Sequence, residues 1–175
     1  MSAPLVIVLM GVAGCGKSTT GTALAQALGW PFRDADSFHP PANIEKMRRG
    51  MPLDDADRAP WLAAIAGWID GRLAAAEPGI VSCSALKRAY RRRIIGERAG
   101  VRLVYLKGAR DLIARRLAAR TGHFMPAALL DSQLATLEEP LAEERAVVVG
   151  IDGPPQEVVE RVLAGLGLAA AARRP

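Results

Sequence analysis

A chain of 175 residues has the length of one compact domain, and with 50% hydrophobic and 23% charged residues it can bury a core, which excludes bulk disorder. The net charge of +5 and a sequence pI of about 9.8 suit an anionic ligand such as a nucleotide or an acid, and leave nucleic acid open as a partner. Cys15 and Cys83 form neither a CxxC pair nor a zinc pattern, and no apolar run is long enough for a membrane span or a secretion signal, so the chain reads as a cytoplasmic protein.

Residues 5–10 are an unbroken apolar run, which suits a strand buried on both faces of a parallel sheet. Residues 18–28 follow with helical spacing (Leu24 and Leu28) and a stop at Gly29. Residues 31–34 form a weaker strand candidate, and residues 43–49 a short helix ending at Gly50. Asp57 reads as the N-cap of a helix with Trp61, Ile65, Trp68 and Ile69 on its core face. Strands are then expected at residues 80–83, 101–106 and 146–151, and helices at 87–98, 111–119, 127–137 and 156–166. Strands alternating with helices indicate βαβ units in a doubly wound parallel sheet, one α/β domain over residues 1–168 with a frayed, disordered tail at 169–175.

The first strand runs into Gly11-Val-Ala-Gly-Cys-Gly16-Lys17-Ser18, a match to G-x-x-x-x-G-K-[ST]. Such a match arises by chance in about 1 in 100 chains of this length, and here it has the strand before it and the helix after it. Glycines let the backbone turn tightly and aim N–H groups at phosphate oxygens, and the helix dipole adds positive potential. Gly11, Ala13, Gly14, Cys15, Gly16, Lys17, Ser18 and Thr19 are therefore nucleotide-binding candidates for ATP. Lys17 would reach the β- and γ-phosphates, and Ser18 would place its hydroxyl on Mg²⁺. Cys15 is either a thiol made acidic by the helix N-terminus or a passive small residue.

Asp34-Ala-Asp36 ends the second strand candidate, where doubly wound sheets bind ligands. Two carboxylates there can divide the work, Asp34 holding Mg²⁺ and Asp36 accepting a proton from an attacking hydroxyl; an Asp-rich turn is the plainer alternative. His39 either touches substrate or caps the following turn.

These segments together resemble the thermoresistant-type gluconokinases. The resemblance is carried by Met10–Ser18 and by Asp36-Ser-Phe-His-Pro-Pro-Ala-Asn-Ile-Glu-Lys-Met47. Pro52-Leu-Asp-Asp-Ala-Asp-Arg-Ala-Pro-Trp61, Cys83-Ser-Ala-Leu-Lys87 and Val104-Tyr-Leu-Lys-Gly108 add to it, as do Gly122-His-Phe-Met-Pro126 and Thr136-Leu-Glu-Glu-Pro140. It implies ATP-dependent phosphorylation of D-gluconate at its 6-hydroxyl. It also implies a nucleoside-monophosphate-kinase-like fold with a five-stranded parallel sheet under a lid near residues 120–127, and often a homodimer. Ala35 departs from the glycine usual between the two acids, and Gly150 from a common Asp in the base loop.

A sugar acid needs cations for its carboxylate, and Arg58, Lys87 and Arg91 are the candidates, the last two one helical turn apart. Arg116 and Arg120 precede the lid, with Arg120 placed for adenine or phosphate and as a catalytic residue beside Lys17 and Asp36. His123 and Gln133 complete the substrate candidates. Two alternatives remain at this point: another kinase of the same fold, such as one for shikimate, and a nucleotide-dependent switch without catalysis. No nucleic-acid recognition motif is present.

Overall fold

The computed structural model describes residues 6–120 and 127–173. Val6–Met10 (β1) is wholly buried, because helices cover the sheet on both sides. In chain order follow Lys17–Leu28 (α1), Phe32–Asp34 (β2), Pro41–Arg48 (α2), Asp55–Ala74 (α3), Gly79–Ser82 (β3) and Arg88–Ile94 (α4). Val101–Lys107 (β4), Arg110–Ala118 (α5), Ala127–Thr136 (α6), Val147–Gly150 (β5) and Pro155–Leu166 (α7) complete the alternation. All strand pairs are parallel, in the order β2-β3-β1-β4-β5. β1 lies at the centre, with Val8 opposite Val81 on one side and Leu103 on the other.

Alternation along β1 sends its side chains into two cores. Ile7 and Leu9 pack with Leu24 of α1, Ile113 of α5, Leu130 of α6 and Val162 of α7. Val6, Val8 and Met10 pack with Trp61, Ile65 and Ile69 of α3 and Ile94 of α4. The expected doubly wound α/β sheet is therefore present. The two edge strands depart from two-sided burial: β2 is only half-buried, and in β5 Val148 is 57% exposed.

Several boundaries differ from expectation for local reasons. The N-cap of the long helix α3 is Asp54, not Asp57: the Asp54 carboxylate accepts the Asp57 N–H at 2.7 Å, and Asp57 answers by accepting the Asp54 N–H at 3.0 Å. Asp57 also takes Lys46 Nζ at 2.7 Å, which ties α2 to α3. α4 is shorter than expected and starts at Arg88, leaving Lys87 as an extended N-cap outside it. In the stretch expected as a disordered tail, Ala171–Arg173 forms a 3-10 turn and Ala172 packs against the core. Among the described residues no helix is long and apolar enough to cross a membrane.

Because Asp54 closes a reciprocal cap, Asp54→Ala is expected to cost about 1 kcal/mol and to lower the thermal midpoint by about 2–4 °C. Thermal unfolding followed by circular dichroism checks this.

Candidate active site

The loop between β1 and α1 is held open by glycine geometry. Gly14 adopts φ +84°, and a Cβ there would come within 2.6 Å of Leu117. Gly16 caps α1 at φ +96°, with no side-chain cap and no acidic residue in the first turn. The first N–H groups of α1 therefore point into the cleft without an internal partner, the arrangement that binds phosphate. Lys17 Nζ donates to the Gly11 and Val12 carbonyls at 2.8 and 3.2 Å, lying along the loop it would leave to meet a phosphate.

Asp34 organises the facing wall. Its Oδ2 accepts the Ser18 hydroxyl at 2.9 Å, and its Oδ1 accepts the Asp36 N–H at 2.9 Å, capping the 3-10 turn Ala35–Phe38. Ser18 and Asp34 thus present adjacent oxygen donors, the hard ligands Mg²⁺ takes alongside nucleotide phosphates. Solvent reaches Asp36 through the cleft mouth, yet the surrounding walls desolvate its carboxyl, and this, with the nearby charge of Asp34, pushes its pKa up.

Trp61 buttresses that turn. Its indole N–H donates to the Ala35 carbonyl at 2.7 Å, and its ring stacks on His39 at 4.5 Å. Asn43 Nδ2 donates to the Asp57 carbonyl at 2.8 Å, which fixes its amide, and it meets His39 Nδ1 at 3.3 Å. His39 Nδ1 is therefore the acceptor and Nε2 carries the proton. Burial, ahead of the neighbouring charges, lowers the His39 pKa, which keeps the ring neutral at pH 7.

Three clefts meet at this carboxyl edge of the sheet. The one over the loop, about 310 Å³, is lined by Lys17, Ser18, Asp34, Asp36, Arg120 and Gln133. A second, about 690 Å³, is lined by His39, Arg58, Trp61, Lys87, Tyr90 and Gln133. The third, about 230 Å³, lies between Gly14, Thr19, Arg116, Arg120, Pro155 and Val158. Arg120 borders the first and third, and Trp61, Ser84 and Gln133 border the first and second, so the clefts form a row with the loop in the middle. The two larger ones fall in the size range of small-molecule sites, roughly 300–1,000 Å³.

The second cleft carries positive charge. The Arg58 guanidinium lies 5.8 Å from the Tyr90 ring centre and Lys87 Nζ lies 5.5 Å from it. The Tyr90 hydroxyl donates to Asp55 Oδ1 at 2.6 Å, and Lys87 stands 3.8 Å from that oxygen. The Tyr90 bond, then Lys87, holds the Asp55 carboxyl below its usual range. One exposed carboxylate balances two cations, so the cleft favours an anion.

Residues 6–140 match the AAA domain family. The chain is 46% identical to a gluconokinase of Gluconobacter oxydans over 160 residues, covering 91% of this chain and 90% of the relative. It is 43% identical to the thermoresistant gluconokinase of Escherichia coli K12, covering 88% and 89%. The crystal structure of a gluconokinase from Sinorhizobium meliloti 1021 superposes with a TM-score of 0.83 at 50% identity, covering 95% of this chain and 94% of that one. The chain belongs to the gluconokinase family.

Within that family frame, the structure brings most of the expected site together and removes one residue from it. Arg91 is not a pocket residue: it is 1% exposed, with Nε and Nη2 on the Glu144 carboxylate at 2.6 and 3.0 Å and Nη1 on the Ala85 and Leu86 carbonyls at 2.9 and 3.2 Å. The helical spacing of Lys87 and Arg91 fails because Lys87 precedes α4 in extended backbone. Arg91 instead braces the Ser84–Lys87 loop, where Ala85 has φ +47°. Cys15 is a buried thiol whose pKa burial raises, so the acidic-thiol reading gives way to the passive one. Arg116 borders the third cleft while its Nη2 donates to the Ile151 carbonyl at 2.6 Å, bracing the loop after β5. His123 and most of the expected lid lie outside the described residues.

Two contributors escaped the sequence reading. Tyr90 lies three residues after Lys87, a spacing that could have pointed to it, whereas nothing local marks the stack of Trp61 on His39.

Truncating one member of a buried ion pair leaves the other charge unpaired, so Arg91→Ala is expected to destabilise the fold by about 3–5 kcal/mol. Urea unfolding measures the loss; a change under about 1 kcal/mol would contradict the bracing role.

Proposed function

We propose that the chain transfers the γ-phosphoryl group of ATP to the 6-hydroxyl of D-gluconate, giving 6-phosphogluconate and ADP. One observation carries the reading: a cationic cleft sized for a small acid opens directly onto a phosphate-gripping loop. Arg58 and Lys87 hold the carboxylate of gluconate, with the His39 Nε2–H and the Tyr90 hydroxyl facing its hydroxyl groups. The acid's far end then lies towards Asp36.

Asp36 orients the 6-hydroxyl and accepts its proton as the oxygen bonds to the γ-phosphorus and the bond to ADP breaks. A raised carboxyl pKa makes it a stronger base than an ordinary Asp. The N–H groups of the loop and α1, with Lys17 and Arg120, hold the triphosphate; Thr19 and Arg116 border the space for the nucleoside. Ser18 and Asp34 would hold Mg²⁺, which would supply neutralisation of the phosphate charge when bound.

Several arginines are engaged in ion pairs, such as Arg98 with Asp70 and Arg110 with Asp131, which supports leaving nucleic acid out of the reading. The family resemblance leads us to place the protein in the cytoplasm as a homodimer.

The test is a panel of sugar acids, shikimate and polyols with ATP·Mg, with product mass and phosphorylation position determined. Gluconate phosphorylated at the 6-hydroxyl is expected; a clear preference for another acceptor overturns the assignment. Asp36→Asn is expected to lower kcat by about 10²–10⁴-fold. A carboxyl whose pKa rises on folding costs stability, a cost absent below its unfolded pKa and full above its folded one. The Asn variant should therefore melt no lower than wild type at pH 7, and the wild type should lose activity as pH falls through a value above that of an ordinary Asp.

A further inference from the structure

Gln133 is anchored where the two larger clefts join. Its Oε1 accepts the Ala13 N–H of the phosphate loop at 2.8 Å, across 120 positions of sequence. Only the carbonyl end of a carboxamide accepts from a backbone N–H, so this bond settles which way the amide faces. Both hydrogens of Nε2 remain, and among the described residues no group accepts them.

The helix that carries it is held from behind. Leu130, fully buried one turn earlier, fixes the face that α6 turns to the core. At the other end, the Glu138 N–H donates to the Leu86 carbonyl at 2.8 Å and Glu138 Oε2 accepts the Arg88 N–H at 2.8 Å. α6 is thereby pinned to the loop that carries Lys87. Gln133 borders both the cleft over the phosphate loop and the cationic cleft.

We propose that Gln133 belongs to the phosphoryl-transfer machinery: anchored on Ala13, it presents its Nε2 donors to the γ-phosphoryl oxygens where these meet the acceptor hydroxyl. The inference rests on the kinase reading above. A neutral donor fixed before the reaction stabilises developing charge on the phosphoryl group without reorganising. It also ties the acceptor's pocket to the loop that holds the donor.

Gln133→Glu separates this role from simple bracing. The glutamate keeps the size and an acceptor for the Ala13 N–H, but loses both donors and brings a negative charge towards the γ-phosphate. If Gln133 only ties α6 to the loop and does not touch the γ-phosphate, the added charge weakens ATP·Mg and ADP·Mg alike and their affinity ratio stays at the wild-type value. The proposal predicts that, without gluconate, affinity for ATP·Mg falls by about tenfold or more relative to ADP·Mg, since only ATP carries a γ-phosphate. With gluconate, kcat should fall by about 10²-fold while the KM for gluconate changes little. An unchanged ATP-to-ADP affinity ratio together with near-wild-type kcat overturns it. Should the Glu variant not fold, Gln133→Ala decides: lower kcat at unchanged ADP·Mg affinity supports the proposal, and unchanged kcat overturns it. The nucleotide ratio needs no acceptor, so a wild type that ignores gluconate defeats the function proposed above while leaving Gln133 tested.

Discussion

Helix geometry leaves the first N–H groups of α1 without partners, and in this chain no side chain caps them. Their direction is set by β1, whose side chains are fully buried in two cores, and by glycines at positions 14 and 16 whose backbone no L-residue adopts without strain. The loop's partial positive charge is therefore fixed in place by the most deeply packed strand. A triphosphate that binds there replaces solvent with dipoles already oriented, at little cost in reorganisation. The remaining parts of the site are arranged around that point.

The facing wall shows how few contacts carry the arrangement. Asp34 ties Ser18 to the backbone of Asp36, and Trp61 ties the same turn to α3 and to His39. Buried Arg91 has no access to the cleft, but it holds the carbonyls of Ala85 and Leu86 and so positions Lys87. Two arginines of similar appearance in sequence thus divide the labour: Arg58 meets the cleft, and Arg91 supports its wall.

The parallel sheet was legible because an unbroken apolar run has one good home, between two layers of helices; β1 conforms, while β5 keeps the apolar composition at an edge where Val148 faces solvent. The phosphate loop was legible because its glycines and lysine are needed at fixed spacing. Asp54 and Asp57 both satisfy the chemistry of a cap, and only the reciprocal bond tells them apart. The helical pairing of Lys87 with Arg91 failed for a related reason: where a helix begins by one residue decides which side chains share a face. The partner of Arg91, Glu144, lies 53 positions away, and local pattern carries no signal of such a contact. Of the two readings open for Cys15, the acidic thiol loses to burial, since a helix N-terminus lowers a thiol's pKa only where the thiolate can be solvated.

The central claim, that uncapped backbone N–H groups and the ammonium of Lys17 grip a magnesium-bound triphosphate, is tested most directly by calorimetric titration of ATP·Mg onto wild type and Lys17→Ala. One site per chain in the wild type is predicted, weakened by about 10²-fold in a variant that melts at the same temperature. Folded wild-type protein that takes up no ATP·Mg, or equal affinity in both proteins, would contradict it.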